Sequence, residues 1–374
     1  MKILMVSHTY VVAENQRKID ALANIPSIDL TLLVPYSWKD QMRQIQLEKL
    51  YDKKYKIVPA HIGYNGRLYA YFYHQLTVIR LLHKLRPDIV HLELEPPSLS
   101  AFQICSLSKI FGSKVVFFTF ENVYSNYPFP KLFLERGVLA LADYGISGNT
   151  EGKKNLMKKG FKKPISVLPQ LGVDPNRFCK ICANQLRQEL GLKDFVIGFA
   201  GRLVQEKGIL TLLRAVARLV KDVQLLIVGR GFLREEIVNL ASQLGLQEKI
   251  VMVDSVLHSE MPMYLNCMDV LVLPSETTSV WKEQFGHILI EAMACEVPVV
   301  GSNSAAIPEV IGEAGLIFEE GNINDLQSQL QTIIVDPELA SLLARRGRER
   351  VLKNYTHFIV ARRTYEVYKE LMAD

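Results

Sequence analysis

The feature that most constrains this chain is a repeated alternation of short apolar runs with longer amphipathic stretches. The apolar runs have the length of buried strands, three to five residues, and they occupy 3–6, 30–34, 89–92, 115–118, 144–146 and 165–168, then 196–200, 224–228, 250–253, 270–273, 297–300 and 316–318. Helical periodicity lies between several of them. Such alternation is typical of parallel sheets that helices cover on both faces. The sequence therefore predicts an α/β protein.

The alternation lapses between Pro169 and Arg187, where Pro, Gly and Asn recur without periodicity. At 374 residues the chain is also longer than a typical domain of about 150 residues. We therefore predict two doubly wound, Rossmann-like domains, residues 1–175 and 176–355. Residues 356–374 carry an apolar face on a terminal helix, which we expect to return to the first domain.

Composition excludes several classes of protein. The first apolar run is too short for the core of a signal peptide, and none reaches the 18 residues of a membrane span. Five cysteines, an odd number, indicate reduced thiols, so we expect a cytoplasmic protein. Cys179 and Cys182 form a CxxC without the second ligand pair of a zinc site. The net charge of +5 suits phosphate-bearing ligands, and no nucleic-acid-binding module accompanies it, so we expect no nucleic-acid partner.

Residues 197–208 join a strand to a helix and contain two cations. Gly201 allows the backbone to approach a ligand, while Arg202 and Lys207 lie near the carboxyl end of a strand, where open α/β sheets bind ligands. A guanidinium and an ammonium together suit a diphosphate. A glycine-rich turn with solvated charges is the alternative.

Residues 274–294 form the densest group of polar residues after a strand. A helix should begin near Gly286, because helical spacing relates Ile288, Leu289, Ala292 and Met293. The free backbone amides of residues 286–289 would then form an anion site suited to phosphate.

Two glutamates accompany this predicted helix. Glu291 lies inside it, and a carboxylate on an apolar helix is costly unless it is paired or hydrogen-bonded, which favours a role in binding ribose hydroxyls. Glu283, in the preceding loop, could contact the far end of the same ligand. The alternative is a solvated Glu283 and a structural ion pair at Glu291.

These motifs resemble those of the retaining, GT-B-fold enzymes of glycosyltransferase family 4, also called glycosyl transferases group 1. The G-R-x-x-x-x-K-G motif is matched by Gly201, Arg202, Lys207 and Gly208, and the E-x7-E motif by Glu283 and Glu291. The likeness is specific over 165–354 and looser over 1–164. It implies a GT-B architecture, with two Rossmann-like domains facing across a cleft. It also implies an EC 2.4-class, hexosyltransferase-like enzyme that transfers sugar, with retention, from a nucleoside-diphosphate sugar to a saccharide, lipid-linked or small-molecule hydroxyl.

The resemblance also implies residue roles. Arg202 and Lys207 would neutralise the diphosphate, Glu291 would hold the ribose, and Glu283 would bind hydroxyls of the transferred sugar. The implied donor-binding set is Gly201, Arg202, Lys207, Ser255, Val256, Glu283, Phe285, Gly286, His287, Ile288, Leu289 and Glu291. We expect a UDP- or GDP-sugar rather than an ADP-sugar. No DxD motif occurs, so we expect no metal and no other cofactor, with the two cations acting on the phosphates instead.

The first domain departs from the family pattern. It lacks a Gly-Gly pair after the first strand and a His after the strand at 115–118. The acceptor-side candidates are Glu14, Asn15, His91, Glu121 and Asn122. Glu121 is the expected catalytic residue there, beside Glu283, Lys207 and Arg202, because a carboxylate at the cleft could contact the donor sugar or an acceptor hydroxyl. A capping role for Glu121 and a core position for His91 are the alternatives.

Two other functions stay open at this point, a non-catalytic nucleotide-sugar-binding protein and a nucleotide-sugar epimerase of the same fold. Peripheral contact with the inner membrane face is a further expectation. It is based on the lysine pairs at 153–154, 158–159 and 162–163 and on an amphipathic stretch at 67–86.

Overall fold

The computed structural model describes residues 1–40, 44–50, 53–220 and 222–373. These residues form two compact units. The first contains Met1–Gly172 and the C-terminal residues from His357, and the second contains Val173–Thr356. The first boundary lies three residues before the predicted one because the Val173 N–H donates to Tyr355 O at 2.8 Å and Val173 pairs with Thr356. These contacts also place Thr356 in the second unit.

The first unit is built on a parallel sheet. Its described strands are β1 (Lys2–Val6), β2 (Asp29–Pro35), β3 (Ser37–Lys39), β4 (Gln44–Gln46), β5 (Lys56–Ala60), β6 (Ile62–Gly63), β7 (Phe72–Tyr73), β8 (Ile89–Leu92), β9 (Lys114–Thr119), β10 (Tyr144–Ser147) and β11 (Ile165–Val167). The sheet order is β11-β10-β9-β8-β1-β2-β5, while β3-β4 and β6-β7 form small antiparallel pairs. The interior strand β1 is buried from Ile3 to Val6, as expected of a strand covered on both faces.

The helices of the first unit connect these strands. They are α1 (Arg17–Ala23), α2 (Gln75–Leu85), α3 (Leu99–Ile110), α4 (Lys131–Leu141) and α5 (Thr150–Lys158). Side-chain caps fix two of the starts: Ser98 accepts from the Ala101 N–H, and Asn149 accepts from the Gly152 N–H. Because β8 to β11 are parallel neighbours in chain order, right-handed connections place α3, α4 and α5 on one face of the sheet.

The amphipathic stretch at 67–86 is not one helix. Phe72 and Tyr73 form β7, and α2 begins only at Gln75. Val78 and Leu82 on α2 are fully buried, so the apolar side of this helix packs in the core. The expectation of a single amphipathic helix over this stretch is therefore wrong, and contact of this stretch with a membrane stays a prediction.

The second unit contains a parallel sheet with the order β14-β13-β12-β15-β16-β17. Its described strands are β12 (Phe195–Ala200), β13 (Val223–Val228), β14 (Ile250–Val253), β15 (Val270–Leu273), β16 (Val299–Ser302) and β17 (Leu316–Phe318). This is the doubly wound order, which reverses between β12 and β15. β16 begins two residues later than predicted because the Val297 N–H still donates to Ala292 O of the preceding helix.

Helices cover both faces of this second sheet. Their described members are α6 (Asn184–Glu189), α7 (Ile209–Val216), α8 (Arg234–Gln243), α9 (Met261–Leu265), α10 (His287–Ala294), α11 (Ile307–Ile311), α12 (Ile323–Val335) and α13 (Pro337–Asn354). After α13, the C-terminal helix His357–Ala373 belongs to the first unit, where it packs against α1. Its Tyr368 is fully buried there.

Candidate functional site

The loops at the switch point of the second sheet bring two sequence motifs together. β12 is followed by Gly201 and Arg202, and its neighbour β15 by Pro274 and Ser275. Gly208 has φ +65°, and a Cβ there would lie 1.8 Å from Pro274 O. Only glycine therefore lets the first loop pass this close to the second.

Lys207 and Glu283 meet at this point. Lys207 Nζ donates to Glu283 Oε2 at 2.5 Å, and Ser275 Oγ donates to the same oxygen at 2.8 Å. Glu283 is only 6% exposed. The ammonium also lies 5.1 Å from the centre of the Trp281 ring. The result is a buried carboxylate held by a cation and a hydroxyl, with its position fixed before any ligand binds.

Residues 274–285, which carry Glu283, are held by further side chains. Thr211 Oγ1 donates to Glu276 Oε1 at 2.5 Å, which ties the loop to α7. Thr277 donates to Glu320 through both its backbone N–H and its hydroxyl, at 3.0 and 2.8 Å. Such contacts restrict the loop and so preorganise the carboxylate that it presents.

The helix α10 begins where the sequence predicts. Gly286 precedes it with φ +80°, and His287 is its first residue. The Leu289 N–H donates to Gly286 O at 2.9 Å, so one of the four amides predicted to face an anion is already used inside the helix. Desolvation lowers the pKa of His287, although the nearby Glu291 and Glu283 carboxylates act in the opposite direction.

Glu291 has a different partner from Glu283. Its Oε1 lies 3.0 Å from His258 Nε2, and its side chain is 14% exposed. The His258 ring lies 5.1 Å from that of Phe178. His258 follows β14 in the same loop as Ser255, which is exposed, and Val256, which is half-buried. The sequence analysis missed His258, and no motif in the chain signalled it.

Three other predicted donor-binding residues, Arg202, Ile288 and Phe285, lie outside the two carboxylate contacts described above. The Arg202 side chain is 59% exposed and lies 3.8 Å from Glu206 Oε1. Ile288 is half-buried. The Phe285 ring is buried and lies 5.7 Å from that of Tyr355, so this side chain packs in the core of its unit.

In the first unit, Glu121 belongs to a bridge of three charges. Lys159 Nζ donates to Glu121 Oε1 and to Glu135 Oε1, each at 2.6 Å. The backbone N–H of Glu121 donates to Thr119 Oγ1 at 3.0 Å, and Asn122 is buried beside it. Glu121 is thus neither a capping residue nor a solvated one, but a carboxylate at the end of β9 held by one lysine.

The remaining acceptor-side candidates make local or core contacts. His91 is fully buried, its Nδ1 lies 2.7 Å from Tyr368 Oη, and burial lowers its pKa to about 3. The prediction that His91 faces a ligand is therefore wrong, because the C-terminal helix covers it. Glu14 pairs with Arg17 at 2.8 Å. Asn15 donates to a backbone carbonyl six positions earlier.

Glu95, which the sequence analysis missed, lies beside Glu121. Thr119 Oγ1 donates to Glu95 Oε2 at 2.5 Å, and the Phe120 N–H donates to Oε1 at 3.0 Å. Burial raises the pKa of Glu95 to about 7 in spite of these hydrogen bonds. Nearby, Lys18 forms a buried ion pair with Glu93. In the sequence, the signal that could have identified Glu95 is the pair of acidic residues, Glu93 and Glu95, that follows the strand at 89–92.

Two tyrosines lie close to these carboxylates. The Tyr69 and Tyr127 rings are 6.1 Å apart, and Lys131 Nζ lies 4.1 Å from the centre of the Tyr69 ring. Lys159 Nζ lies 4.9 Å from the centre of the Tyr127 ring. Aromatic faces beside carboxylates can contact the C–H faces and the hydroxyls of a polyol.

Among the residues that the structure describes, no group of three or more His, Cys, Asp or Glu side chains is arranged to hold a metal ion. The five cysteines are free thiols, and Cys179 and Cys182 of the CxxC are not joined.

The fold of this chain has counterparts among solved structures. The HepE protein of Anabaena, solved in complex with UDP, superposes with a TM-score of 0.76 over 99% of this chain and 100% of that one, at 17% identity. Such a likeness concerns the fold, and the fold is GT-B. Residues 183–350 match the family model of the glycosyl transferases group 1.

Two relatives of this chain are named as transferases of sugars. A GDP-mannose-dependent alpha-(1-6)-phosphatidylinositol monomannoside mannosyltransferase of Mycolicibacterium smegmatis is 31% identical over 204 residues, 51% of this chain and 53% of the relative. The chain thus spans about half the length of this relative. Alpha-D-kanosaminyltransferase of Streptomyces kanamyceticus is 23% identical over 93% of this chain and 95% of its own length.

Proposed function

We propose that this protein is a glycosyltransferase that moves a sugar from a nucleoside-diphosphate sugar to a hydroxyl of a saccharide, lipid-linked or small-molecule acceptor. The observation that carries the proposal is the buried Glu283 carboxylate, held by Lys207 and Ser275 at the switch point of the group 1 domain. The names of the curated relatives, which are themselves transferases of sugars, support it.

The donor diphosphate would bind between Lys207 and the start of α10. The positive end of a helix dipole and an ammonium together favour an anion, and the exposed Arg202 guanidinium could reach a second phosphate oxygen. Lys207 would then share its charge between the diphosphate and Glu283. Glu291, beside His258, would accept the ribose hydroxyls.

Transfer requires that the bond between the sugar and the diphosphate breaks. Negative charge then grows on the leaving phosphate, and Lys207 and Arg202 stabilise that charge more strongly than they stabilise the intact donor. Glu283 orients the sugar through its hydroxyls while the bond breaks. In this proposal the side-chain cations replace a divalent metal, the anomeric configuration is retained, and the donor base is uracil or guanine.

The first unit would supply the acceptor side. Glu121 follows β9, the strand after which the family resemblance leads one to expect a histidine, and we assign it the contact with the acceptor hydroxyl. Lys159 donates a hydrogen bond to that carboxylate and so restricts its position. The nearby Tyr69 and Tyr127 rings suit a polyhydroxylated acceptor.

The decisive experiment measures nucleoside diphosphate released from a panel of UDP- and GDP-sugars, with and without a saccharide acceptor pool. The proposal expects release that depends on acceptor and on Glu283. Donor binding without release would instead identify a non-catalytic nucleotide-sugar-binding protein. Conversion of the donor sugar without release of the diphosphate would identify an epimerase.

The cellular location is part of the same proposal. No helix in the described ranges is long and apolar enough to cross a membrane. We retain the expectation of a cytoplasmic enzyme with peripheral contact at the inner membrane face, and we expect no nucleic-acid partner.

A further inference from the structure

A cavity of about 530 Å³ lies in the second unit, at the edge of the sheet opposite the loops of the proposed donor site. Pro298 lines the cavity and directly precedes β16, so the cavity is at the amino ends of the parallel strands. Lys207 and Glu283 lie in loops that follow the carboxyl ends of β12 and β15. The volume is in the range of sites that bind small molecules. The cavity is therefore a candidate for a second ligand site.

One wall of this cavity is a face of α13. It is formed by Ser341, Ala344, Arg345 and Arg348, whose spacing of three, four and seven positions places them on one side of the helix. The serine and alanine side chains are small and leave room for a ligand. The two guanidinium groups present planar, fork-shaped sets of donors, which match the oxygens of a phosphate.

Lys180 and Glu296 lie on the other wall. Lys180 Nζ is 3.9 Å from Glu296 Oε2, and the two side chains are 73% and 37% exposed. Glu296 follows the end of α10 with a φ of +58°, in the left-handed region that favours glycine. A glycine at this position would avoid the strain but would provide no carboxylate. Backbone strain of this kind is often found at ligand sites.

Positive charge exceeds negative charge around the cavity. Its cations are Lys180, Arg345 and Arg348, and its carboxylates are Glu296 and Glu349. The excess attracts an anion. The carboxylates can accept hydrogen bonds from hydroxyls of the same ligand. A ligand ammonium suits Glu296 less well, because the Lys180 ammonium already lies beside it.

Arg348 connects the cavity to two other segments of the second unit. Its Nη1 donates to Phe178 O at 2.7 Å and to Ala294 O at 2.6 Å, and its Nη2 donates to Pro175 O at 2.9 Å. A guanidinium has five N–H groups, so within the described part of the chain two remain for a ligand. Arg348 therefore joins the cavity to residues 175–178 and to the last residue of α10.

Both of these segments support Glu291. Ala294 ends α10, the helix that carries Glu291. The Phe178 ring lies 5.1 Å from the ring of His258, and His258 Nε2 lies 3.0 Å from Glu291 Oε1. A ligand that restrains Arg348 would thus restrain both the helix and the histidine that position this carboxylate.

We propose that this cavity binds a phosphorylated sugar, and that the bound ligand raises the affinity of the second unit for its nucleotide-sugar donor. The phosphate binds Arg345 and the remaining N–H groups of Arg348, while the sugar hydroxyls donate to Glu296. Because the ligand has already ordered the supports of Glu291, donor binding then costs less conformational entropy. The coupling rests on the proposed donor site, whereas binding to the cavity does not.

Calorimetric titration of the full chain with glucose 6-phosphate as the probe tests the cavity. We expect saturable binding by the wild type, and weaker binding of inorganic phosphate and of glucose. Arg345→Gln removes a guanidinium from the cavity wall and should weaken probe binding at least about tenfold. The matched control is Arg346→Gln, at the exposed neighbouring position on α13 outside the cavity lining, and it should bind like the wild type.

Glu296→Gly separates a role in ligand binding from a role in the fold. The substitution removes the carboxylate and relieves the left-handed strain, so the melting temperature should not fall while probe binding weakens several-fold. Probe binding equal to that of the wild type would remove Glu296 from the site.

The coupling is measured by titrating UDP and GDP with and without saturating probe. We expect the probe to tighten nucleotide binding at least about fivefold, and the nucleotide to tighten probe binding by the same factor. Arg345→Gln should lose this effect while its affinity for the nucleotide alone stays that of the wild type.

Three results would overturn the binding assignment. These are no probe binding by the wild type at millimolar concentrations, equal binding of inorganic phosphate and the probe, and equal losses in Arg345→Gln and Arg346→Gln. Unchanged nucleotide affinity in the presence of bound probe would overturn the coupling. If neither nucleotide binds with or without the probe, the result contradicts the proposed function, whereas probe binding sensitive to Arg345→Gln would still support the cavity site.

Discussion

Lys207 Nζ lies 2.5 Å from Glu283 Oε2, although 76 positions separate the two residues in the sequence. One residue follows β12 and the other follows β15, which are neighbours only because the strand order reverses between them. The pair thus couples the cation expected to bind the diphosphate to the carboxylate expected to bind the sugar. A change in the contact between Lys207 and the diphosphate should therefore change the position of the Glu283 carboxylate that is expected to bind the sugar.

The first prediction concerns Glu283. Glu283→Gln keeps the size of the side chain and removes its charge, so the transferred sugar should be poorly oriented while the nucleotide still binds. We expect kcat to fall about 100-fold and the affinity for the free nucleoside diphosphate to change little, as measured by product release and by calorimetry. Glu313→Gln, at an exposed position of the same unit, is the control. Wild-type kcat in Glu283→Gln would remove this residue from the mechanism.

The second prediction separates stability from function at the same pair. Lys207→Met leaves the Glu283 carboxylate, 6% exposed, without its ammonium partner, so the free energy of unfolding should fall by up to about 3 kcal/mol. Adding Glu283→Gln removes the carboxylate charge that Lys207 compensates in the wild type, and it should restore much of that stability without restoring turnover. Denaturant titration of the two single variants and the double variant measures the coupling. If the stability losses of the two single variants add up in the double variant, the interaction between Lys207 and Glu283 contributes nothing to the free energy of unfolding.

The third prediction uses the two carboxylates that share Lys159. Glu121→Gln and Glu135→Gln each remove one of two similar ion pairs, both at 2.6 Å. If Glu121 contacts the acceptor, Glu121→Gln should lower kcat/KM for the acceptor by at least about tenfold, and Glu135→Gln should not. Steady-state kinetics with varied acceptor at saturating donor distinguish them. Equal losses in both variants would indicate that the bridge only stabilises the fold.

The fourth prediction concerns the pH dependence of stability. Burial raises the pKa of Glu95 from its usual value of 4.5 to about 7, so in this interval the folded protein binds a proton that the unfolded chain does not. The stabilising contribution is therefore complete below pH 4.5 and is lost as the pH rises through 7, on the order of 3 kcal/mol in total.

The test of this pH dependence is Glu95→Gln, which cannot ionise. The difference in unfolding free energy between this variant and the wild type should shift in favour of the variant between pH 5 and pH 8, as measured by urea unfolding. Glu313→Gln is again the control. A difference that stays constant over this interval would mean that Glu95 is already ionised at pH 5.

Local sequence patterns determined most of the regular structure of this protein. Apolar runs with the length of strands predicted the parallel strands β8, β14, β15 and β17 with their observed bounds, because a strand buried on both faces must be apolar along its length. The patterns missed β5, whose sequence Lys-Ile-Val-Pro-Ala is half-buried at the edge of its sheet. An edge strand needs little apolar sequence, so its signal is weak.

The sequence by itself also indicated the group 1 domain, through short motifs with fixed spacing around Gly201 and Glu291. Only the tertiary structure decided that Lys207 pairs with Glu283, that Lys159 joins Glu121 to Glu135, and that the C-terminal helix covers His91. Local periodicity reports which residues face a core. Which side chains meet there depends on strand order and helix packing, and these are set by contacts between residues far apart in the chain.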